Sequence, residues 1–176
     1  MNNCVHYMLM TPWPVVERQN PNRSLVRELR RVYAGGRGEM TAIAEYFYDS
    51  LLLRRAGQEE YSELFACVSH TEMTHLQKLG ELILAFGGDP RLLSEWNGRM
   101  VWWSAGAVSY ECDASRMLRR AIESERQACA EYRRLETRME GAPRALIARI
   151  RQDEEHHLEL FQRALHDLES GRQKYS

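Results

Sequence analysis

Hydrophobic residues recur at alternating steps of three and four positions over four long stretches of the chain, which is the spacing of amphipathic helices. The stripe on the last stretch is formed by Ile147, Ile150, Phe161, Ala164 and Leu168. Glu154 and His157 occupy the centre of that stripe, and no Lys or Arg shares it. Because a carboxylate buried without a partner is strongly destabilising, the pattern predicts a bound counter-charge, and a metal ion is the simplest one.

The other three stretches carry polar residues at matching positions. Glu72 and His75 lie at the centre of a stripe that extends from Phe65 to Phe86. The first and third stretches each carry one carboxylate, followed by an alanine after three residues and a tyrosine after seven: Glu39, Ala42 and Tyr46; Glu125, Ala128 and Tyr132. We therefore expect four helices that bring acids and imidazoles to one level.

Helix-breaking residues divide the chain into three parts. Pro12, Pro14 and Pro21 predict an extended arm over residues 1–21, which Trp13 would anchor on the rest of the protein. A bundle is expected over residues 22–170, followed by a tail over residues 171–176. The predicted helices cover about 22–55 (with Asn22 or Ser24 near the start), 59–86, 114–139 and 143–170.

The long connection over residues 87–113 determines the predicted topology. It can return along the length of a helix, so the fold class is all-α, a bundle of two antiparallel helix pairs joined by one crossover. Its tryptophans are expected to pack or to contact another subunit. Within the first helix, the glycine run from Gly35 to Gly38 indicates either a helix break or a close backbone approach beside Glu39.

Composition excludes several classes of function. Among 176 residues the net charge is -1, which argues against a nucleic-acid partner, and no apolar run approaches the roughly 18 residues that span a membrane. The cysteines are scattered, with no Cys-x-x-Cys pair: Cys4, Cys67, Cys112 and Cys129. We expect no disulfide framework, no zinc ribbon, no signal peptide and a cytoplasmic protein.

Six side chains are candidate metal ligands: Glu39, Glu72, His75, Glu125, Glu154 and His157. The negative charge of four ionised carboxylates equals the positive charge of two divalent cations, so two bound ions would leave the site neutral. Internal symmetry predicts one ion held by the first three residues and the other by the last three, with Glu72 and Glu154 as bridges. Ala42 and Ala128 are expected to leave space for a small oxidant at the level of the imidazoles. The alternative is a metal-free bundle whose acids are protonated or paired.

Neighbouring polar residues receive other roles. Tyr46 and Tyr132 are expected either to hydrogen-bond a ligand carboxylate or to pack with a satisfied hydroxyl, and Asp153 is a candidate to hold a ligand imidazole. Six nearby acids and histidines fall outside the stripes and are not expected to be ligands: Glu45, His70, Glu123, Glu131, Glu155 and His156.

These motifs resemble the ferritin-like superfamily over about residues 22–170. The segments Glu39–Phe47, Glu72–His75 and Asp153–His157 resemble the ligand helices of bacterioferritins, whereas Tyr33–Met40 resembles manganese catalases and related spore-coat proteins. Ala128 stands where rubrerythrins carry a further ligand. Met73 stands where bacterioferritins bind haem, but Met is common there in relatives without haem. In manganese catalases the residue matching Glu154 can transfer protons rather than bind metal.

The resemblance implies two iron or two manganese ions and chemistry on hydrogen peroxide or dioxygen, with Glu154, Tyr46 and Tyr132 as candidate catalytic residues. It also implies a homo-oligomer without nucleic-acid or membrane partners. Two alternatives remain: a ferroxidase or iron-storage subunit, and a structural coat or shell component, which would be associated with spores.

Overall fold

The computed structural model describes residues 4–171, so residues 1–3 of the predicted arm and 172–176 of the predicted tail lie outside the described residues. The helices are α1 Arg23–Ala34, α2 Glu39–Arg55, α3 Glu59–Ala85, α4 Ala114–Glu136 and α5 Gly141–Glu169. The strands are β1 Leu93–Trp96 and β2 Arg99–Trp102, and short 3-10 turns cover Cys4–Tyr7 and Ala105–Ala107.

Helices α2 to α5 form the bundle, with α2 packed on α3 and α4 packed on α5. The all-α fold of two helix pairs joined by one crossover is confirmed. Apolar side chains form one core cluster around Leu29, Leu82 and Ile150, and a second around Tyr46, Phe65 and Phe161. Over residues 4–171, no helix is long and apolar enough to cross a membrane.

The predicted first helix is split into α1 and α2 by the glycine run. A Cβ atom on Gly35 would lie 2.3 Å from the carbonyl oxygen of Arg31, and one on Gly38 would lie 2.4 Å from that of Val32. Both interpretations of the run therefore apply, because the helix ends where the backbone turns tightly. At the start of α1 the cap is Asn22, not Ser24, and its side chain accepts the amide of Leu25 at 3.0 Å.

The crossover contains a β-hairpin that the helical pattern did not predict. Strands β1 and β2 pair antiparallel, and the turn between them places Asn97 at φ 48° and Gly98 at φ 76°. An Asn-Gly pair favours this two-residue turn, so a local signal for the hairpin was present. Of the crossover tryptophans, Trp103 donates a hydrogen bond to the Thr41 hydroxyl at 2.9 Å, while Trp96 and Trp102 are exposed.

Cys4 and Cys67 form a disulfide, so the expectation of a chain without disulfides is wrong. The two residues are 63 positions apart, yet their Cα atoms lie 5.1 Å apart because the first 3-10 turn packs against α3. This separation is within the range that a disulfide requires. Cys112 and Cys129 are free.

Candidate metal centre

The six candidate ligands meet at the middle of the bundle. Glu39 begins α2, Glu72 and His75 lie on α3, and the other three lie on α4 and α5. All six are buried, with no more than 5% of any residue exposed. Residues three positions apart on a helix share a face, so each Glu-x-x-His pair is directed to the same point.

The imidazoles direct their Nδ1 atoms to the carboxylates. His75 Nδ1 lies 2.7 Å from Glu72 Oε2 and 3.0 Å from Glu154 Oε1. His157 Nδ1 lies 3.0 Å from Glu72 Oε1, 3.5 Å from Glu154 Oε2 and 4.0 Å from Glu125 Oε2. Each imidazole therefore directs Nδ1 to the carboxylates and Nε2 away from them.

Two overlapping groups can each hold a metal ion. One consists of Glu39, Glu72, His75 and Glu154, and the other of Glu72, Glu125, Glu154 and His157. Within each group, one donor atom per residue lies within 4.8 Å of the others. Glu72 and Glu154 belong to both groups. These geometric clusters suggest a dinuclear site, although the assignment of each residue as a ligand stays a prediction.

Unsatisfied polar atoms show that the donor set fits metal ions. Glu72 Oε1, Glu154 Oε1 and His157 Nδ1 are buried and make no hydrogen bond of acceptable geometry among the described residues, although imidazole nitrogens lie 3.0 Å from both carboxylate oxygens. Such atoms are rare in native proteins unless a ligand, ion or water completes them. Carboxylate oxygens and imidazole nitrogens are ligands that iron, manganese and zinc all accept.

Electrostatics divide the four acids into two kinds. Burial, followed by repulsion from Glu154 and Glu72, raises the pKa of Glu39 and of Glu125 well above the ordinary value. Burial also opposes ionisation of Glu72 and Glu154, but attraction to the imidazoles outweighs it and lowers the pKa of both acids.

The imidazoles balance these two charges in the metal-free protein. Burial opposes the charged form of His157, but the attraction of Glu72 and Glu154 raises its pKa to about 9. The same balance raises the pKa of His75 well above its ordinary value. These shifts favour pairing of the carboxylates of Glu72 and Glu154 with protonated imidazoles when no metal is bound.

Each tyrosine hydrogen-bonds the carboxylate of the opposite helix pair. The Tyr46 hydroxyl on α2 donates to Glu125 Oε1 at 2.5 Å, and the Tyr132 hydroxyl on α4 donates to Glu39 Oε1. Both tyrosines are buried. Of the two roles considered for these tyrosines, hydrogen bonding to a candidate ligand is the one observed, and it crosses between the helix pairs.

The outward-facing nitrogens of the imidazoles have partners that the helical pattern did not reveal. His157 Nε2 lies 2.9 Å from the carbonyl oxygen of Tyr7, and His75 Nε2 lies 3.1 Å from Asp153 Oδ2. Asp153 thus holds the imidazole on α3 rather than His157 on its own helix. Its other oxygen accepts the Leu9 amide at 2.8 Å.

A cavity of about 720 Å³ reaches the centre from the opposite side. Ala42 and Ala128 line it, as do Glu39, Tyr132 and the glycine run. Neither imidazole lines it. Space is therefore present beside the two alanines as expected, but it leads to the carboxylates and not to the imidazoles.

Most of the residues that were not expected to be ligands lie away from the centre. His70, Glu123 and Glu131 are exposed, although Glu131 lines the cavity, and Met73 is 54% exposed. Glu155 pairs with Arg133 and Arg151, and His156 contacts the His6 carbonyl oxygen.

Glu45 is an exception, because it is buried. Arg120 lies 3.3 Å from Glu45 and also pairs with Asp49, and Glu45 accepts the Ser109 amide at 2.7 Å. Burial raises the pKa of Asp49 to about 7, against the opposing attraction of Arg120. This ion cluster ties the crossover to α2 and is separate from the six candidate ligands.

Comparison with known proteins agrees with this architecture. A family model described as a ferritin-like domain matches residues 37–170. The crystal structure of KatB, a manganese catalase from Anabaena PCC7120, superposes with a TM-score of 0.78 at 22% identity, covering 91% of this chain and 79% of that one. The wild-type KatB structure from Anabaena superposes with a TM-score of 0.78 at 21% identity, covering 96% of this chain and 84% of that one. No curated protein matches the sequence.

Proposed function

The chain belongs to the ferritin-like family, and from that premise we propose that it is a dinuclear iron or manganese oxidoreductase that acts on hydrogen peroxide or dioxygen. One observation carries the proposal. Two overlapping ligand groups, which share Glu72 and Glu154, lie buried at the end of a cavity large enough for a small oxidant.

The proposed ligands divide between the helix pairs. Glu39, Glu72 and His75 would hold one ion, and Glu125, Glu154 and His157 would hold the other, while Glu72 and Glu154 belong to both groups of donor atoms. When bound, two such ions supply a charge-matched pair that can exchange two electrons with an oxygen species. Four carboxylates against two divalent ions leave the loaded centre neutral, which makes its burial favourable.

The side chains around the centre orient the candidate ligands. Tyr132 and Tyr46 hold Glu39 and Glu125 by hydrogen bonds, so each carboxylate keeps one oxygen directed to the centre. Tyr132 lines the cavity, whereas Tyr46 packs edge-on against Phe65 with ring centres 5.6 Å apart. Tyr132 is therefore the tyrosine placed to contact substrate, and Tyr46 acts through Glu125. Glu154 reaches the cavity and would act either as a metal ligand, which its lowered pKa favours, or as the group that holds a proton during turnover.

Peroxide disproportionation is the reaction that we favour. One peroxide is reduced to two waters and a second is oxidised to dioxygen, so electrons and protons balance between the two substrates and no donor protein is needed. The cavity lining carries two arginines, Arg31 and Arg37, and six glutamates, four of which are candidate ligands. A small neutral oxidant can enter such a lining, and its excess of carboxylates would also attract ferrous ions, so the preference for peroxide rests on the electron balance and not on the charge of the cavity. The likeness to a manganese catalase supports the fold that such a reaction uses.

The test is metal loading followed by assays with both oxidants. We expect about two manganese or iron ions per chain by elemental analysis, and oxygen release from peroxide at an oxygen electrode. Glu72→Gln keeps the size of the side chain but removes a shared ligand, so it should lose metal and activity. Glu123→Gln, on the exposed face of α4, is the matched control and should keep both. Ferrous oxidation without oxygen release would identify a ferroxidase, and a loaded protein inert to both oxidants would refute the proposal.

A further inference from the structure

The residues that precede the bundle contact the back of the metal centre. Residues 4–13, here called the N-terminal segment, lie on the imidazole side, opposite the cavity. The Tyr7 carbonyl oxygen contacts His157 Nε2 at 2.9 Å. The Leu9 amide donates to Asp153 Oδ1 at 2.8 Å, and the other oxygen of Asp153 contacts His75 Nε2. Both imidazoles therefore depend on backbone groups only two residues apart.

Further contacts hold this backbone in register. Arg149 donates to the carbonyl oxygens of Leu9 and Thr11 and lies 2.5 Å from Asp153. The Trp13 ring stacks 4.5 Å from the Arg149 guanidinium and meets the His75 ring edge-on at 5.9 Å. Asp153 is fully buried and Arg149 is 4% exposed, so without the segment a buried ion pair would face water.

Covalent attachment fixes the start of the segment. The Cys4–Cys67 disulfide ties it to α3, one turn of helix before the stretch that carries Glu72 and His75. Beyond the segment, Gln19 donates its amide to the Ala85 carbonyl oxygen at 2.9 Å, which holds the chain near the other end of α3. Tyr7 and Leu9 lie three and five residues after the disulfide, so this bond restrains them most directly.

We propose that the N-terminal segment positions both imidazoles for metal binding and that the Cys4–Cys67 disulfide keeps it in place. The Tyr7 carbonyl oxygen accepts a hydrogen bond from Nε2–H of His157, and the Leu9 amide holds Asp153 against the ring of His75, so that Nδ1 of each ring stays directed to the carboxylates. Partners of this kind commonly change metal affinity by about 10- to 100-fold when removed.

The disulfide links the metal centre to the thiol redox state. A dithiol reductant supplies two electrons and two protons to the S–S bond, yields two thiols and itself closes to a disulfide. Once released, the segment exchanges its contacts with His157 and Asp153 for water, and the rings lose their fixed orientation. This inference rests on the proposed metal centre.

The experiment compares Cys4→Ser with wild type and with Cys112→Ser, a control at an exposed free cysteine. Manganese affinity is measured by titration, and the environment of the ions by the electron paramagnetic resonance spectrum. We expect Cys4→Ser to bind manganese about 10-fold more weakly or worse, with an altered spectrum, while Cys112→Ser matches wild type. Reduced wild type, freed of reductant, should resemble Cys4→Ser, and reoxidation should restore it.

Hydrogen exchange at the Leu9 amide separates the possible failures. Loss of protection at Leu9 in Cys4→Ser, with helical circular dichroism unchanged, shows release of the segment without unfolding. Released Leu9 together with unchanged manganese affinity and spectrum overturns the positioning role, even if wild type binds two ions. Leu9 that stays protected overturns the role of the disulfide. Wild type that binds no metal overturns the proposed function and this inference with it.

Discussion

Four candidate ligands have pKa values shifted toward the protonated form. Burial raises the pKa values of Glu39 and Glu125, and acidic partners raise those of His157 and His75. These directions favour the protonated forms of the four groups in the metal-free protein, whereas metal binding requires their deprotonated forms. Replacing four protons by two divalent cations would leave the total charge of the buried region unchanged.

Metal binding should therefore release protons and strengthen as pH rises. One proton from each of the four groups gives as many as four per two ions at neutral pH. Because ligands must be deprotonated, the apparent affinity should rise by up to about tenfold per pH unit for each proton released. Titration of manganese into weakly buffered protein with a pH indicator counts the protons. Binding without proton release, at constant affinity between pH 6 and 8, would contradict this charge pattern.

The raised pKa of Asp49 leads us to expect a pH dependence of folding stability that does not involve the candidate ligands. Burial raises its pKa from 3.8 to about 7, so between these values the folded protein holds a proton that the unfolded chain has lost. The free energy of unfolding should then fall as pH rises from about 4 to 7, by on the order of 4 kcal/mol for this group. Urea unfolding of metal-free Asp49→Asn should show a flatter profile over this range. The exposed Asp89→Asn is the control, and an identical slope in Asp49→Asn and wild type would refute the assignment.

Helix α4 determines both a candidate ligand and the route to it. Glu125 faces inward, whereas Glu123 and Glu131 are exposed. Ala128, one turn after Glu125, lines the cavity, and its small side chain leaves the carboxylates accessible. Because Glu125 and Ala128 are three residues apart, they lie on the same face of the helix. One is a candidate ligand and the other lines the cavity.

Substitution of Ala128 should close this route. Ala128→Leu adds three carbon atoms beside Glu125, so we expect retained helicity and metal content with at least about a tenfold fall in peroxide turnover, equivalent to ~1.4 kcal/mol in the barrier. Ala145→Leu, an exposed position on α5, is the matched control. Elemental analysis and oxygen release measure the two effects. A metal-loaded Ala128→Leu protein with full turnover would remove Ala128 from the access route.

The whole bundle joins two apolar core clusters through a polar centre. Apolar packing alone does not stabilise that layer, since buried charges cost more than they return unless they are paired. Metal ions held at the proposed centre would bind the folded bundle in preference to the unfolded chain, so they should add stability by mass action.

Thermal unfolding measures this contribution. At a free metal concentration about 100 times the dissociation constant, one site adds about 2.7 kcal/mol, which raises Tm by roughly 5–10 °C for a chain of this size. A chelator should reverse the shift, and Glu72→Gln should show little of it. Equal melting temperatures for loaded and metal-free wild type would contradict a metal centre inside the bundle.

The sequence by itself determined the helices and the positions of the six candidate ligands. Helical periodicity is local, so residues three and four apart report a buried face without knowledge of the fold. A Glu-x-x-His pair inside an apolar stripe carries its own signal, and so does the glycine run that ends α1. The hairpin in the crossover was also readable from its Asn-Gly turn, although helical patterning overlooked it.

Only the tertiary structure decided which distant groups meet. The Tyr46 bond to Glu125 spans 79 residues, the Tyr132 bond to Glu39 spans 93, and the Tyr7 contact with His157 spans 150. The disulfide, the contact of Asp153 with His75 and the burial of Glu45 beside Arg120 are of the same kind. Such contacts depend on how the helices and the arm pack against one another. The periodic pattern along a helix reports which face is buried, but it does not report which distant residue that face meets.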